Sequence, residues 1–207
     1  MPPVSQRYRD ARRRQIIDAA RRCFAHTGLH GTSMHDVFAE SGLSAGAVYG
    51  YFAGKDDLVA AIIEEVLAEI AAALGTLTEA EPPPPPDEVL GAVVQMLDRP
   101  PSGELARLAV QVWAEAGRSP QLRTRLSSYY GQVQARFATL VQRYQHDGIL
   151  DPELSAHDLA QVLTALGPAF LSQRALLDNV NAETFTRGLS GLLARGPNRR
   201  TDPQVPQ

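Results

Sequence analysis

Between Ser44 and Lys55 the chain reads SAGAVYGYFAGK, a segment of small residues punctuated by hydroxyls. Ala45, Gly46, Ala47 and Gly50 leave most faces of a short helix bare, while Ser44, Tyr49 and Tyr51 project oxygens from it. A helix so poor in bulk lies close against a groove floor, where hydroxyls meet phosphates and base edges. Upstream, residues 1 to 22 carry seven arginines (Arg7, Arg9, Arg12, Arg13, Arg14, Arg21, Arg22) against Asp10 and Asp18. The chain as a whole has net charge -3, so a basic end sits on an acidic body. That asymmetry suits contact with a polyanion, and the competing reading is a solvated helix face.

Other chemistries find little support. No Ser-His-Asp order, P-loop or glycine-rich nucleotide fingerprint is present, so catalysis is not expected. His26, His30 and His35 are near one another in sequence but lack cysteine or clustered carboxylate partners, and no metal or cofactor is expected. Cys23 adjoins Phe24 on an inward face and reads as inert core.

Composition points to helices. The 207 residues are 44% hydrophobic but only 6% aromatic, with Ala, Leu and Arg recurrent and β-branched residues scattered, which is helix usage. A chain of this length buries roughly 70% of its unfolded surface and needs no disulfide to fold. The lone cysteine and the start MPPVSQRYRD, without an apolar signal core, lead us to expect a reducing cytoplasm. Uncharged runs fall short of the roughly 20 residues of a bilayer span, so no membrane partner is expected.

The elements that must position the slim segment follow from caps and periodicity. Ile16, Ile17, Ala20, Cys23 and Phe24 recur at helical spacing from Arg7 to His26, with Gly28 placed as a terminal cap. Ser33 and Asp36 form a capping-box pattern for a second helix over about 33–40. Ser41-Gly42-Leu43 breaks it, and Ser44 caps the third. This is helix-turn-helix spacing. Lys55-Asp56-Asp57 opens a long helix to about Leu74, followed by five prolines at 82–86 that read as a stiff connector. Helices then run over Asp87–Asp98, Ser102–Ala116, from Ser119 and Pro120 to His146, Ser155–Leu177 with a kink at Pro168, and Asn181–Arg195. We expect an all-α fold of about nine helices in two units, 1–56 and 57–196, with a disordered tail over 197–207.

The run from Arg12 to Leu58, RRRQIIDAARRCFAHTGLHGTSMHDVFAESGLSAGAVYGYFAGKDDL, resembles the DNA-binding domain of TetR-family transcriptional regulators. An apolar pair and Ala-Ala in the first helix, Thr-Ser opening the second, Gly-Leu-Ser-x-Gly-x-Val-Tyr through turn and third helix, and aromatic-Phe-x-x-Lys carry the likeness. It implies phosphate contacts at Thr32 or Ser33, Ser44, Tyr49, Tyr51 and Lys55, and close backbone approach at Gly46. For base reading, Ala45 offers a methyl, and the His35 ring nitrogen offers a hydrogen bond to a base edge or a phosphate. Phe38, Ser41 and Gly50 depart from the pattern and place sequence specificity in doubt.

For the second half, such folds imply a ligand cavity between helices four and eight. Candidate lining residues are Met96, Trp113, Tyr130, Phe137, Gln161, Thr164 and Phe170, suiting a small, partly apolar effector. With no buried carboxylate cluster evident, a strongly cationic effector is not favoured. The last two helices resemble the family's dimer interface, with Gly167, Leu171, Gly188, Leu189 and Leu192 as contacts. Two reading helices about 35 Å apart would match successive major grooves of a near-palindromic duplex operator. The expected function is a homodimeric repressor released by its effector. The rivals are an activator or partner-controlled DNA binder, and an all-helical enzyme or carrier.

Overall fold

A computed structural model describes residues 6–100, 103–177 and 179–193. Nine helices are formed among the described residues: α1 Gln6–Gly31, α2 Met34–Ser41, α3 Ala45–Tyr49, α4 Lys55–Glu79, α5 Pro86–Leu97, α6 Glu104–Ala116, α7 Pro120–His146, α8 Ala156–Leu176 and α9 Ala182–Leu193. The tail expected to be disordered lies outside the described residues.

Local chemistry sets most ends. Ser44, Ser119 and Ser155 accept backbone N–H groups of Ala47, Leu122 and Asp158, so the first turns of α3, α7 and α8 are capped by side chains. Ser33 and Asp36 make the reciprocal capping box of α2, and Gly42 closes that helix at φ 67. Pro86 starts α5 at a position where a missing N–H costs nothing. Two differences stand out. Gly28, at φ 79 and ψ 166, interrupts α1 as expected, yet another turn forms beyond it to Gly31. The connecting helix α4 continues to Glu79, beyond the expected end near Leu74, because Leu74 and Leu77 still pack inward. α8 continues through Pro168 to Leu176.

Side chains gather in two hydrophobic clusters. The first joins Ile16, Ile17 and Phe24 of α1, Val37 of α2, Val48 of α3 and Leu58 and Ile62 of α4 to Leu108 and Val112 of α6 and Leu126 of α7. The second packs Ile70 and Leu74 of α4 against α5, α7, α8 and α9, with Phe137, Tyr144 and Phe170 at its centre. Trp113 touches both. Each such fully buried side chain stabilises the fold by about 1.5–3 kcal/mol. Packing is unbroken at residue 56, where two units were expected to meet, since Leu58, Val59 and Ile62 are shared between the helix-turn-helix and the body.

Candidate nucleic-acid interface and effector cavity

α3 is fastened by one residue. Val48 is fully buried in the first cluster, while Ser44, Ala45, Gly46, Ala47 and Tyr49 stay exposed. A Cβ added at Gly46 would meet nothing within 4 Å, so the bare face is open to solvent. Tyr49, 52% exposed, stands edge-on to Phe38 with ring centroids 5.4 Å apart. Phe38, one of the departures from the family pattern, thus props the tyrosine that points outward. His35 is exposed at the start of α2.

Three expected phosphate contacts have other work. Thr32 is 2% exposed, and its hydroxyl donates to the Gly28 carbonyl at 2.8 Å and meets the Thr27 hydroxyl at 2.7 Å. Burial removes it from any duplex. The Ser33 hydroxyl donates to Asp36 Oδ2 at 2.8 Å and its backbone N–H to the same oxygen at 2.7 Å, so its donors are engaged in the cap. Those two bonds hold the Asp36 carboxyl below its ordinary value. Lys55 Nζ donates to the carbonyls of Leu29 (2.9 Å) and Thr32 (3.4 Å), tying the start of α4 to the α1–α2 turn. Tyr51 is half-buried against the first cluster.

The arginines of α1 divide likewise. Arg13 pairs with Glu65 at 3.2 Å and Glu64 at 3.7 Å, Arg21 with Glu65 at 3.2 Å, and Arg22 with Glu40 at 2.5 Å. Part of the basic surplus therefore clamps α1 onto α2 and α4. Cys23 is half-buried; desolvation first, then Glu40 and Asp36, push its thiol upward, which keeps it protonated and unreactive.

Behind the reading head, α4 to α8 line a largely apolar cavity of about 70 Å³ that opens partly to solvent. Of the expected lining residues, Trp113, Tyr130, Phe137 and Thr164 contribute to its wall. Trp113 Nε1 donates to the Tyr130 hydroxyl at 3.2 Å, and burial pushes the Tyr130 phenol upward. Three do not line it. Gln161 is exposed, Phe170 is buried edge-on against Phe185 at 5.3 Å, and Met96 lines a neighbouring space. Helical period assigns a face to each but cannot say which inward face meets a cavity.

The expected interface residues also separate. Gly167 and Leu171 line the cavity, and Leu189 packs into the second cluster against α5. Gly188 is open and Leu192 is 84% exposed. Val162 and Leu176 of α8, 62% and 76% exposed, join Leu192 as large apolar groups in solvent.

Sequence reading missed Gln111. Its Oε1 accepts the backbone N–H of Leu29 just past the Gly28 break, joining α6 to the end of α1. The available signal was a polar side chain interrupting the Leu108 and Val112 stripe. Among the described residues no group of three or more metal-ligating side chains assembles, and no helix is long and apolar enough to cross a membrane.

Residues 16–62 match the profile described as bacterial regulatory proteins, tetR family, and residues 85–187 that described as BetI-type transcriptional repressor, C-terminal. The chain is 26% identical over 188 residues to the HTH-type transcriptional regulator YfiR of Bacillus subtilis, covering 88% of this chain and 89% of that one. It is 32% identical over 124 residues to the HTH-type transcriptional regulator BetI of Paraburkholderia xenovorans, 59% of this chain and 63% of the relative. The solved structure of Salmonella enterica GusR superposes with a TM-score of 0.71 at 27% identity, over 92% of this chain and 98% of that one.

Proposed function

The chain belongs to the TetR family of DNA-binding transcriptional regulators, and we propose that it is a homodimeric repressor that leaves its operator when a small molecule fills the α4–α8 cavity. It is a regulator and not an enzyme, as its relatives are. The observation that carries the reading is a shared wall. Ile62, Leu108, Val112 and Leu126 line the cavity and also form the cluster that holds Val48 beneath the reading helix. A ligand that moves these side chains moves the floor on which α3 rests.

In this reading α3 enters the major groove through Ala45, Gly46 and Tyr49, with Ser44 and Tyr49 on phosphates and His35 on a base edge or phosphate. Lys55 and Thr32 act behind the interface, holding the turn. Val162, Leu176 and Leu192 supply apolar area for a two-fold contact through α8 and α9, which displays two reading helices on one face. The effector acts by its differential affinity for two head orientations, typically worth 1–3 kcal/mol of coupling.

Selection of bound duplexes from a random pool tests this directly. A near-palindromic consensus, bound by a dimer with an affinity that falls steeply with salt, is expected. Sequence-independent binding by a monomer would overturn it.

A further inference from the structure

We propose that the effector is an amphipathic anion, with an aliphatic chain in the α4–α8 cavity and an anionic head, carboxylate or phosphate, held beside it by Arg21 and Arg99. This rests on the reading of that cavity as the effector site. The deep wall asks for nothing polar beyond one group. The Trp113 N–H is engaged by Tyr130, and the Thr164 hydroxyl donates to the Ala160 carbonyl at 2.7 Å. The remaining lining is aliphatic or aromatic, glycine or proline. A polar ligand segment placed there loses its water without replacement, at a cost of about 1–3 kcal/mol per group.

The neighbouring space is different in kind. It shares Ile62, Val66, Ile70, Leu97, Leu105 and Leu108 with the cavity, so the two adjoin along those side chains. It adds Arg21 of α1, Arg99, Glu69 and Glu104. Apolar depth beside a charged vestibule is the complement of a molecule with one ionic end.

Arg21 decides the sign of that end. Its guanidinium reaches Glu65 through one terminal nitrogen at 3.2 Å, while Nε is buried with no hydrogen-bond partner among the described residues. An unanswered buried donor calls for an acceptor. Arg99 meets Glu69 at 3.3 Å with both side chains more than half exposed, a pair an incoming anion displaces at little cost. Glu65 also holds Arg13. A head that draws Arg21 away from Glu65 therefore loosens α1 from α4, which carries ligand binding into the reading head.

The test uses the full chain and its single tryptophan, Trp113, as reporter. Decanoate, decanoyl-CoA, decanol and decyltrimethylammonium are titrated below their micelle concentrations, with operator affinity measured in the same samples. Decanoate or its thioester is expected to shift Trp113 emission saturably and bind at least tenfold more tightly than the neutral or cationic chain. Whichever of the two binds better names the source of the anion. Arg21→Gln is expected to weaken anion binding about tenfold and leave decanol binding unchanged, whereas Glu65→Gln strengthens it by freeing Arg21. Should Arg21→Gln not fold, Arg99→Gln and Glu65→Gln carry the same comparison. Equal binding of decanol or the ammonium, or anion affinity indifferent to both arginines and Glu65, overturns the proposal. Decanoate that binds as described but leaves operator affinity unchanged overturns the effector reading and keeps the ligand class. Release by an unrelated molecule while no decyl anion binds does the reverse.

Discussion

Gln111 on α6 accepts the backbone N–H of Leu29 at the end of α1, so the reading head is joined to the body at a point far along the sequence from α4. Leu29 is buried, and the break at Gly28 lies directly against the Gln111 amide, 3.2 Å from where a Cβ would stand. Gln111→Ala leaves that N–H without a partner and is expected to destabilise the fold by about 1–3 kcal/mol. It should also shrink the change in operator affinity caused by effector. Gly28→Ala adds strain on the order of 1–3 kcal/mol at a backbone conformation that favours glycine. Thermal melting of both variants checks the stability claim, and an operator titration with and without effector checks the coupling.

At the DNA face, two kinds of variant should part company. Tyr49→Phe keeps the edge contact with Phe38 and loses only the hydroxyl, so Tm holds while operator affinity falls about 2–10-fold per half-site. His35→Ala is expected to alter preference among duplexes. Lys55→Ala removes donors from the Leu29 and Thr32 carbonyls, lowering stability by on the order of 1 kcal/mol. Because its ammonium is engaged within the protein, the salt slope of binding should stay as it was. A slope reduced by about one would instead assign Lys55 to a phosphate.

Exposed leucines make the oligomeric state testable. Leu176→Glu with Leu192→Glu places charges on the α8 and α9 surface where the dimer is proposed. Sedimentation should show a monomer whose melting temperature is little changed at matched concentration, and operator binding should weaken at least tenfold. A dimer surviving both changes would move the interface elsewhere.

Alkaline stability follows from one phenol. Tyr144 donates to the Pro84 carbonyl at 2.6 Å, and burial pushes its pKa from 10.0 to about 12. The folded state thus holds its proton more tightly than the unfolded chain. The stabilisation is fully present below pH 10, and it is lost as pH rises from about 10 to about 12. Tyr144→Phe should flatten the fall of Tm across that window, measured by circular dichroism against the unaltered chain.

Much of the molecule was written locally. The helix-turn-helix, the serine caps at 33, 44, 119 and 155, and the inward stripes of α1 and α7 depend on neighbours three or four residues away, and the chain alone determined them. The slim, exposed character of α3 is equally local, since small side chains are small in any fold. What only the tertiary structure decided is who meets whom. Lys55 is a cation at a helix junction, and the carbonyls of Leu29 and Thr32, distant in the chain, turn it inward in a way its type does not reveal. Phe170 and Phe137 have the same character in sequence, yet one is sealed against Phe185 and the other lines the cavity. Periodicity fixes the face a side chain takes on its own helix. Whether that face meets a packed neighbour, an empty space or solvent depends on how the helices cross, which no single stretch of sequence contains.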